Sequence, residues 1–452
     1  MAYITRLEEE LELEILQLKQ ELEKIRGFGK NRVIQGDCLE VLKTFPDNYF
    51  DSLVTDPPCG ISFMGKNWDS HKGGMLQWIN WMSEVMAESL RVMKPGACGL
   101  VWSIPRTSHW TGMALELAGF RLIDVIHHAN GAGFPKGQDI SKHIDALYGA
   151  EREVVGTIKY GKTALGVIND DNWKAKEFVN ITASSTPEAK RWDGWKTPAL
   201  KPAVEGWWLV QKPISESSIA RNILKHGVGG LNIEACRIEP QDKESFSKHW
   251  DRDSISDIRG GNYNNEKSGE MEQRWDAPSG RYPANLILSC SADCQGDNHS
   301  PDCPVSVIGE QSGISVSTGG RRKRGRKGSC YGDFKNESLA QNSGGLGDTG
   351  TAARYFKQLP FDQTVNSVYY QAKASTKDRS SNGVVNNIHP TVKSTALMEY
   401  FIKLITPPNG MVLDPFGGSG TTGVAAKNLG FNYTLIEREQ EYIEIINQRL
   451  NN

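Results

Sequence analysis

Apolar residues are spaced differently in successive parts of this chain. Over Ile4–Ile25 they recur every seven residues at Ile4, Leu11, Leu18 and Ile25, with Ile15 and Leu22 at the interleaved position, which Glu8 interrupts. Heptad spacing with Glu and Lys between predicts a helix over residues 1–28, suited either to a short coiled coil or to docking on the chain's own body. From Val33 the pattern becomes short apolar runs alternating with amphipathic stretches. It predicts a strand at Phe50–Thr55, a helix at Trp78–Met93, a strand at Gly99–Ser103, a helix around Trp110–Ala118 and a strand at Arg121–His127. Lys201–Lys212 has the apolar density of a further strand, centred on Trp207-Trp208-Leu209-Val210. Near the other end, Met411–Leu413 runs into Asp414, a glycine-rich turn, a helical stretch and a second apolar run ending in Glu437. Such alternation predicts an α/β doubly wound sheet built from residues 30–212 and 385–452. Residues 213–384 are rich in Gly, Asn, Ser and Arg, have weak apolar periodicity, and are expected to form a region of their own.

Two segments of this pattern carry chemistry. In Met411–Glu437, glycines 417, 418 and 420 allow a tight turn between strand and helix, where the backbone can approach a ligand. Glu437 closes the next strand at a spacing suited to a carboxylate that takes ribose hydroxyls. Far upstream, the Phe50–Thr55 strand ends in Asp56-Pro57-Pro58-Cys59. Consecutive prolines cannot continue a central strand. They leave the Asp56 carboxylate and the adjoining carbonyl as fixed acceptors at the mouth of the sheet, a pair suited to the two N–H donors of an exocyclic amine.

With DPPC first and DPFGGSGTTG last, the chain resembles the amino-group DNA methyltransferases of the beta arrangement, the N6-adenine and N4-cytosine enzymes of phages and bacteria. In that family the catalytic box precedes a target-recognition region and the glycine motif follows, a circular permutation of other methyltransferases. His389-Pro390-Thr391-Val392-Lys393 also matches the family segment before the glycine motif. The resemblance implies a Rossmann-like sheet that binds S-adenosylmethionine, with an inserted recognition region and an N-terminal helix. It implies that Asp56 and the Pro57 carbonyl hold the target amine, with Pro58 and Cys59 completing the box. Asp414, Pro415, Phe416, Gly417, Gly418, Ser419, Gly420 and Thr421 would line the cofactor pocket, with Glu437 on the ribose and Asp37 on the adenine amine. Thr391 and Lys393 would stand at the methionine end. Family boxes usually end in an aromatic residue that stacks on the flipped base; Cys59 departs from this, and Phe63 or Trp68 is the expected substitute. Asp at the head of the box points to adenine, since Ser is commoner in the cytosine enzymes. An N4-cytosine enzyme and an inactive DNA-binding relative remain the alternatives.

Charge changes this picture only locally. Lys plus Arg number 52 against 54 acids, a net charge of −2, so no global basic field advertises nucleic acid. A compact block, Arg321, Arg322, Lys323, Arg324, Arg326 and Lys327, is the candidate contact to the phosphates of double-stranded DNA. Eight cysteines scattered over 452 residues argue against a disulfide scaffold. Four soft ligands, Cys290, Cys294, His299 and Cys303, fall within a short stretch and read as a structural zinc knuckle or as a plain loop. No apolar run approaches a membrane span and no signal-peptide pattern opens the chain, so a cytoplasmic, non-membrane protein is expected, with a homodimer through the N-terminal helix as one option.

Overall fold

Strands that are apolar on both faces need a covering layer on each side, and this chain supplies helices for both. The computed structural model describes residues 30–130, 136–159, 178–240, 279–290, 294, 298–301, 303–316, 348–359, 385, 387, 389 and 391–451. The proposed N-terminal helix and the Arg321–Lys327 block lie outside them.

In chain order the first half contributes β1 (Arg32–Gln35), α1 (Cys38–Lys43), β2 (Phe50–Thr55), α2 (Met75–Val92), β3 (Met93–Ser103), α3 (Ser108–Leu117) and β4 (Arg121–Asn130). An insertion follows, with α4 (Ile140–Leu147), β5 (Val154–Lys159), β6 (Phe178–Thr182) and α5 (Pro187–Arg191). The chain then returns through β7 (Val204–Gln211) and α6 (Ile219–His226). Next come β8 (Leu286–Ser289), α7 (Pro304–Ser312), β9 (Ser315–Val316), β10 (Thr349–Gly350) and β11 (Lys357–Leu359). The last part supplies α8 (Thr395–Ile405), β12 (Met411–Asp414), α9 (Thr421–Leu429), β13 (Asn432–Glu437) and α10 (Gln440–Asn451).

Nine strands form one sheet in the order β1-β13-β12-β2-β3-β7-β4-β8-β11. All run in one direction except β7, which is antiparallel to both neighbours. The two ends of the chain meet in the middle, where β12 pairs with β2 through Val412 with Ser52 and Leu413 with Leu53. The strand expected at Trp207–Val210 is β7, and it completes the sheet between β3 and β4. β8 and β11, both from residues 213–384, add to the edge beside β4. The sheet therefore continues past residue 212, because these short apolar strands satisfy their backbone groups by pairing with β4.

Helices cover each face according to their apolar stripes. In α2, Trp78, Ile79, Met82, Val85, Met86 and Val92 recur at helical spacing and pack with Phe50, Leu53 and Val101 on one side of the sheet. On the other side α8 buries Leu397, Met398, Phe401, Ile402 and Ile405 against Val54, Trp207 and Val412. Among the described residues, no helix is long and apolar enough to cross a membrane.

Candidate active site

Consecutive connections leave the β12–β2 pair in opposite directions, since β12 leads to β13 on one side and β2 to β3 on the other. At such a switch point the loops diverge beyond the carboxyl ends of the strands, and a crevice opens. Here it is a cleft of 960 Å³.

Asp414, at the end of β12, is the bolt beneath this cleft. It is 2 % exposed. Its carboxylate accepts from Thr55 Oγ1 at 2.7 Å, Thr422 Oγ1 at 2.6 Å and the Phe416 N–H at 3.1 Å. One side chain thus joins the end of β2, the glycine turn and the first turn of α9. Burial pushes its carboxyl up to about 6 against the pull of those donors.

Glycine is required in the turn at two positions. Gly418 has φ +53, and a Cβ there would stand 3.2 Å from His389 Nε2. Gly420, the N-cap of α9, has φ +80, and a Cβ there would meet Ile446 Cγ2 at 2.9 Å. The turn is fastened to β13 by the Gly417 N–H, which donates to Ile436 O at 2.8 Å. Glu437 accepts from the Gly418 N–H at 2.8 Å and from the Glu439 N–H at 2.9 Å. Burial pushes its carboxyl up to about 7. From behind, buried Arg449 of α10 donates to Ser419 O at 2.6 Å and to Thr421 Oγ1 at 3.1 Å.

Across the cleft, β2 delivers Asp56 and the two prolines. The loop beyond is folded around buried Asp69, which accepts from the Gly60 N–H at 2.9 Å and the Phe63 N–H at 2.8 Å. Lys393 Nζ lies 2.5 Å from Asp56 Oδ2. Aromatic rings form the walls. Trp68 stacks on His389 with centroids 6.0 Å apart, and His389 meets Tyr442 edge-on at 4.5 Å. Trp81 meets Phe416 edge-on at 6.1 Å and carries Lys72 Nζ 4.4 Å from its ring centroid. Burial, with Asp69 and Asp56 nearby, raises the Cys59 thiol well above its ordinary range, so it stays protonated and is not a nucleophile.

Residues 50–448, nearly the whole chain, match a family profile described as DNA methylase. The chain belongs to that family. Local matches agree: 94 residues are 40 % identical to the type II methyltransferase M.HinfI of Haemophilus influenzae, covering 21 % of this chain and 26 % of that protein. Another 63 residues are 49 % identical to the type II methyltransferase M2.LlaDCHI of Lactococcus lactis subsp. cremoris, covering 14 % of this chain and 23 % of that protein. The matched part thus spans about a quarter of each of these relatives. Among solved structures, the M1.HpyAVI–SAM complex overlays with a TM-score of 0.35 at 16 % identity, over 93 % of this chain and 99 % of that one. PvuII DNA methyltransferase (cytosine-N4-specific) overlays with a TM-score of 0.39 at 14 % identity, over 92 % and 85 %.

For a member of this DNA methylase family, the structure gathers the expected residues from both ends of the chain. Asp37, Asp56, Pro57, Pro58, Cys59, Thr391, Lys393, Asp414 through Ser419, Thr421 and Glu437 all line the one cleft. Gly420 does not line it; it stands behind the turn, against Ile446. Asp37 also caps α1, accepting from the Leu39 N–H at 3.0 Å. Both expected substitutes for the missing box aromatic, Phe63 and Trp68, line the cleft. Sequence reasoning missed Asp69, Trp81, Trp102 and Arg449. Only a contact between distant segments marks them: an Arg in the last turn of a terminal helix reads as an ordinary dipole partner.

The four soft ligands also meet. Cys290 follows β8, Cys303 caps α7, and the ligand atoms of Cys290, Cys294, His299 and Cys303 all lie within 4.8 Å of one another. His299 Nδ1 is 3.5 Å from Cys290 Sγ and 3.8 Å from Cys303 Sγ. Tetrahedral zinc, with bonds of about 2.0–2.3 Å, has ligand–ligand edges of about 3.3–3.8 Å, so the set fits that ion. The Cys290 N–H donates to Leu359 O at 3.0 Å, which ties the cluster to β11.

Proposed function

We propose that this protein methylates the exocyclic amine of adenine in double-stranded DNA at a specific site, using S-adenosylmethionine. One observation carries the reading: the Asp56-Pro57 acceptors and the Gly417–Glu437 cradle face each other across a single cleft. Its 960 Å³ lies near the upper end of the about 300–1,000 Å³ usual for ligand sites, which suits a nucleoside cofactor together with an extruded base.

S-adenosylmethionine supplies the electrophilic methyl group when bound. Glu437 is suited to accept from its ribose hydroxyls, and Asp37 and Phe416 flank its base. Asp56 and the Pro57 carbonyl accept the two N–H groups of the target amine, which turns its lone pair toward the cofactor side. A base cannot be reached inside a duplex, so it must be flipped into the cleft. Trp68 and Phe63 offer the π-faces that Cys59 lacks. Asp at position 56 supports adenine over cytosine. Residues 213–384, with the Arg321–Lys327 block, are proposed to read the site and hold the phosphates, and Cys290, Cys294, His299 and Cys303 to hold a structural zinc ion. A dimer through the N-terminal helix and a cytoplasmic location belong to the same reading.

Asp56→Ala should abolish methyl transfer to DNA from a methylation-deficient host while leaving cofactor affinity, measured by calorimetry, within about threefold. A parallel loss of both would mean that Asp56 serves the cofactor instead. Mass spectrometry of nucleosides from DNA treated with the wild-type protein decides the base, and N4-methylcytosine as product would replace adenine in the assignment.

A further inference from the structure

The pair at the cleft floor has a feature that the reaction scheme leaves unused. Lys393 is only 5 % exposed, and its Nζ is held twice: 2.5 Å from Asp56 Oδ2 and 3.8 Å from the centroid of the Trp102 ring. Lys393 lies between the His389 segment and α8, whereas Trp102 stands near the end of β3 and Asp56 just beyond β2. Three separate segments therefore meet at one ammonium group. A cation bound to an acid on one side and an aromatic face on the other has little rotational freedom, and it imposes that order on the acid.

The surroundings give the acid reason to need a cation. Asp414 at the end of β12 is close enough for the two carboxylates to repel. Asp69 and Cys59 share the same loop, and Glu205 at the start of β7 and His389 before α8 line the same cleft. The cations Arg106, Lys136 and Lys201 also line this cleft, but Lys393 is the one the structure pairs with Asp56 among the described residues.

We propose that Lys393 is a positioning residue for methyl transfer: it occupies Oδ2 of Asp56, leaves Oδ1 to the target amine, and keeps the carboxylate charged among its acidic neighbours. This rests on the reading of Asp56 as the amine acceptor. It moves Lys393 from the methionine end of the cofactor to the acceptor side of the cleft. Without the ammonium, a carboxylate beside other acids in a dry site holds its proton to higher pH. A protonated Asp56 no longer offers a full charge to the amine, so transfer should fail at neutral pH and recover as pH rises.

Three variants test this: Lys393→Met, Lys393→Gln, which keeps a donor without the charge, and Lys393→Arg, which keeps both. The readout is the pH profile of kcat for tritiated methyl transfer to unmethylated plasmid DNA, with cofactor Kd from calorimetry. Met and Gln should lose about tenfold or more at pH 7, shift the acid limb upward by about one unit and leave cofactor Kd within about threefold. Arg should keep the wild-type limb. An unshifted limb in Gln and Met would overturn the proposal, as would a rise in cofactor Kd that matches the loss of kcat. Asp56→Asn, run in parallel, should be inactive at every pH. If it is active, the amine-acceptor reading itself fails, whatever Lys393 does.

Discussion

Glu437 offers a test in which two measured quantities should move in opposite directions with pH. Its carboxyl ordinarily titrates at 4.5 and is pushed up to about 7 by burial at the end of β13. To accept from ribose hydroxyls it must be ionised. About a tenth of the protein meets that condition at pH 6 and about nine-tenths at pH 8, so cofactor affinity should rise about tenfold over that interval, or about 1.4 kcal/mol. Stability carries the opposite sign. The native pKa lies above the unfolded one, so between about 4.5 and 7 the native state binds more protons than the unfolded state does. Stability from this group is then present at low pH and lost as pH rises through 7. The full difference of about 2.5 units sets an upper limit of about 3 kcal/mol. Calorimetric titration of S-adenosylmethionine at half-unit intervals, with melting curves of the free protein, measures both trends. Glu437→Gln should weaken binding and flatten both pH dependences, which separates this group from Asp414 and from titration of the cofactor itself. Wild-type affinity that is flat or falling between pH 6 and 8, or a Gln variant that keeps the wild-type slope, would refute the reasoning.

Two further expectations concern what the turn and the metal cluster contribute. Gly420→Ala forces φ +80 on an L residue and drives a Cβ to 2.9 Å from Ile446, so denaturant unfolding should show a loss of about 2–4 kcal/mol. Protein purified without chelator should carry about one zinc per chain by mass spectrometry. Cys290→Ser or strong chelation should remove it and should speed hydrogen exchange in β8 and β11, with β12 and β13 unaffected. Zinc-free protein with unchanged exchange at that edge would show the cluster to be a plain loop.

Local patterning was enough to place the elements that carry the chemistry. The strand at Phe50–Thr55 forms at its expected bounds, and the helix expected at Trp78–Met93 forms as Met75–Val92, because its apolar stripe has one helical period. The glycine turn and the proline pair were equally legible, since few other residues tolerate those backbone conformations. What chain-local reading could not supply were partners hundreds of residues apart. Nothing near Lys393 announces Asp56, which is 337 positions away, and nothing near Asp414 announces Thr55, 359 positions away. Nor could it show that β8 and β11 extend the main sheet, since strands this short are given their place by the neighbour they pair with rather than by their own pattern. The sequence by itself determined which segments become strand, turn and helix, and which residue types stand at their ends. The tertiary structure decided which of those ends share a cleft, because burial and charge pairing depend on the packed neighbours that only folding brings together.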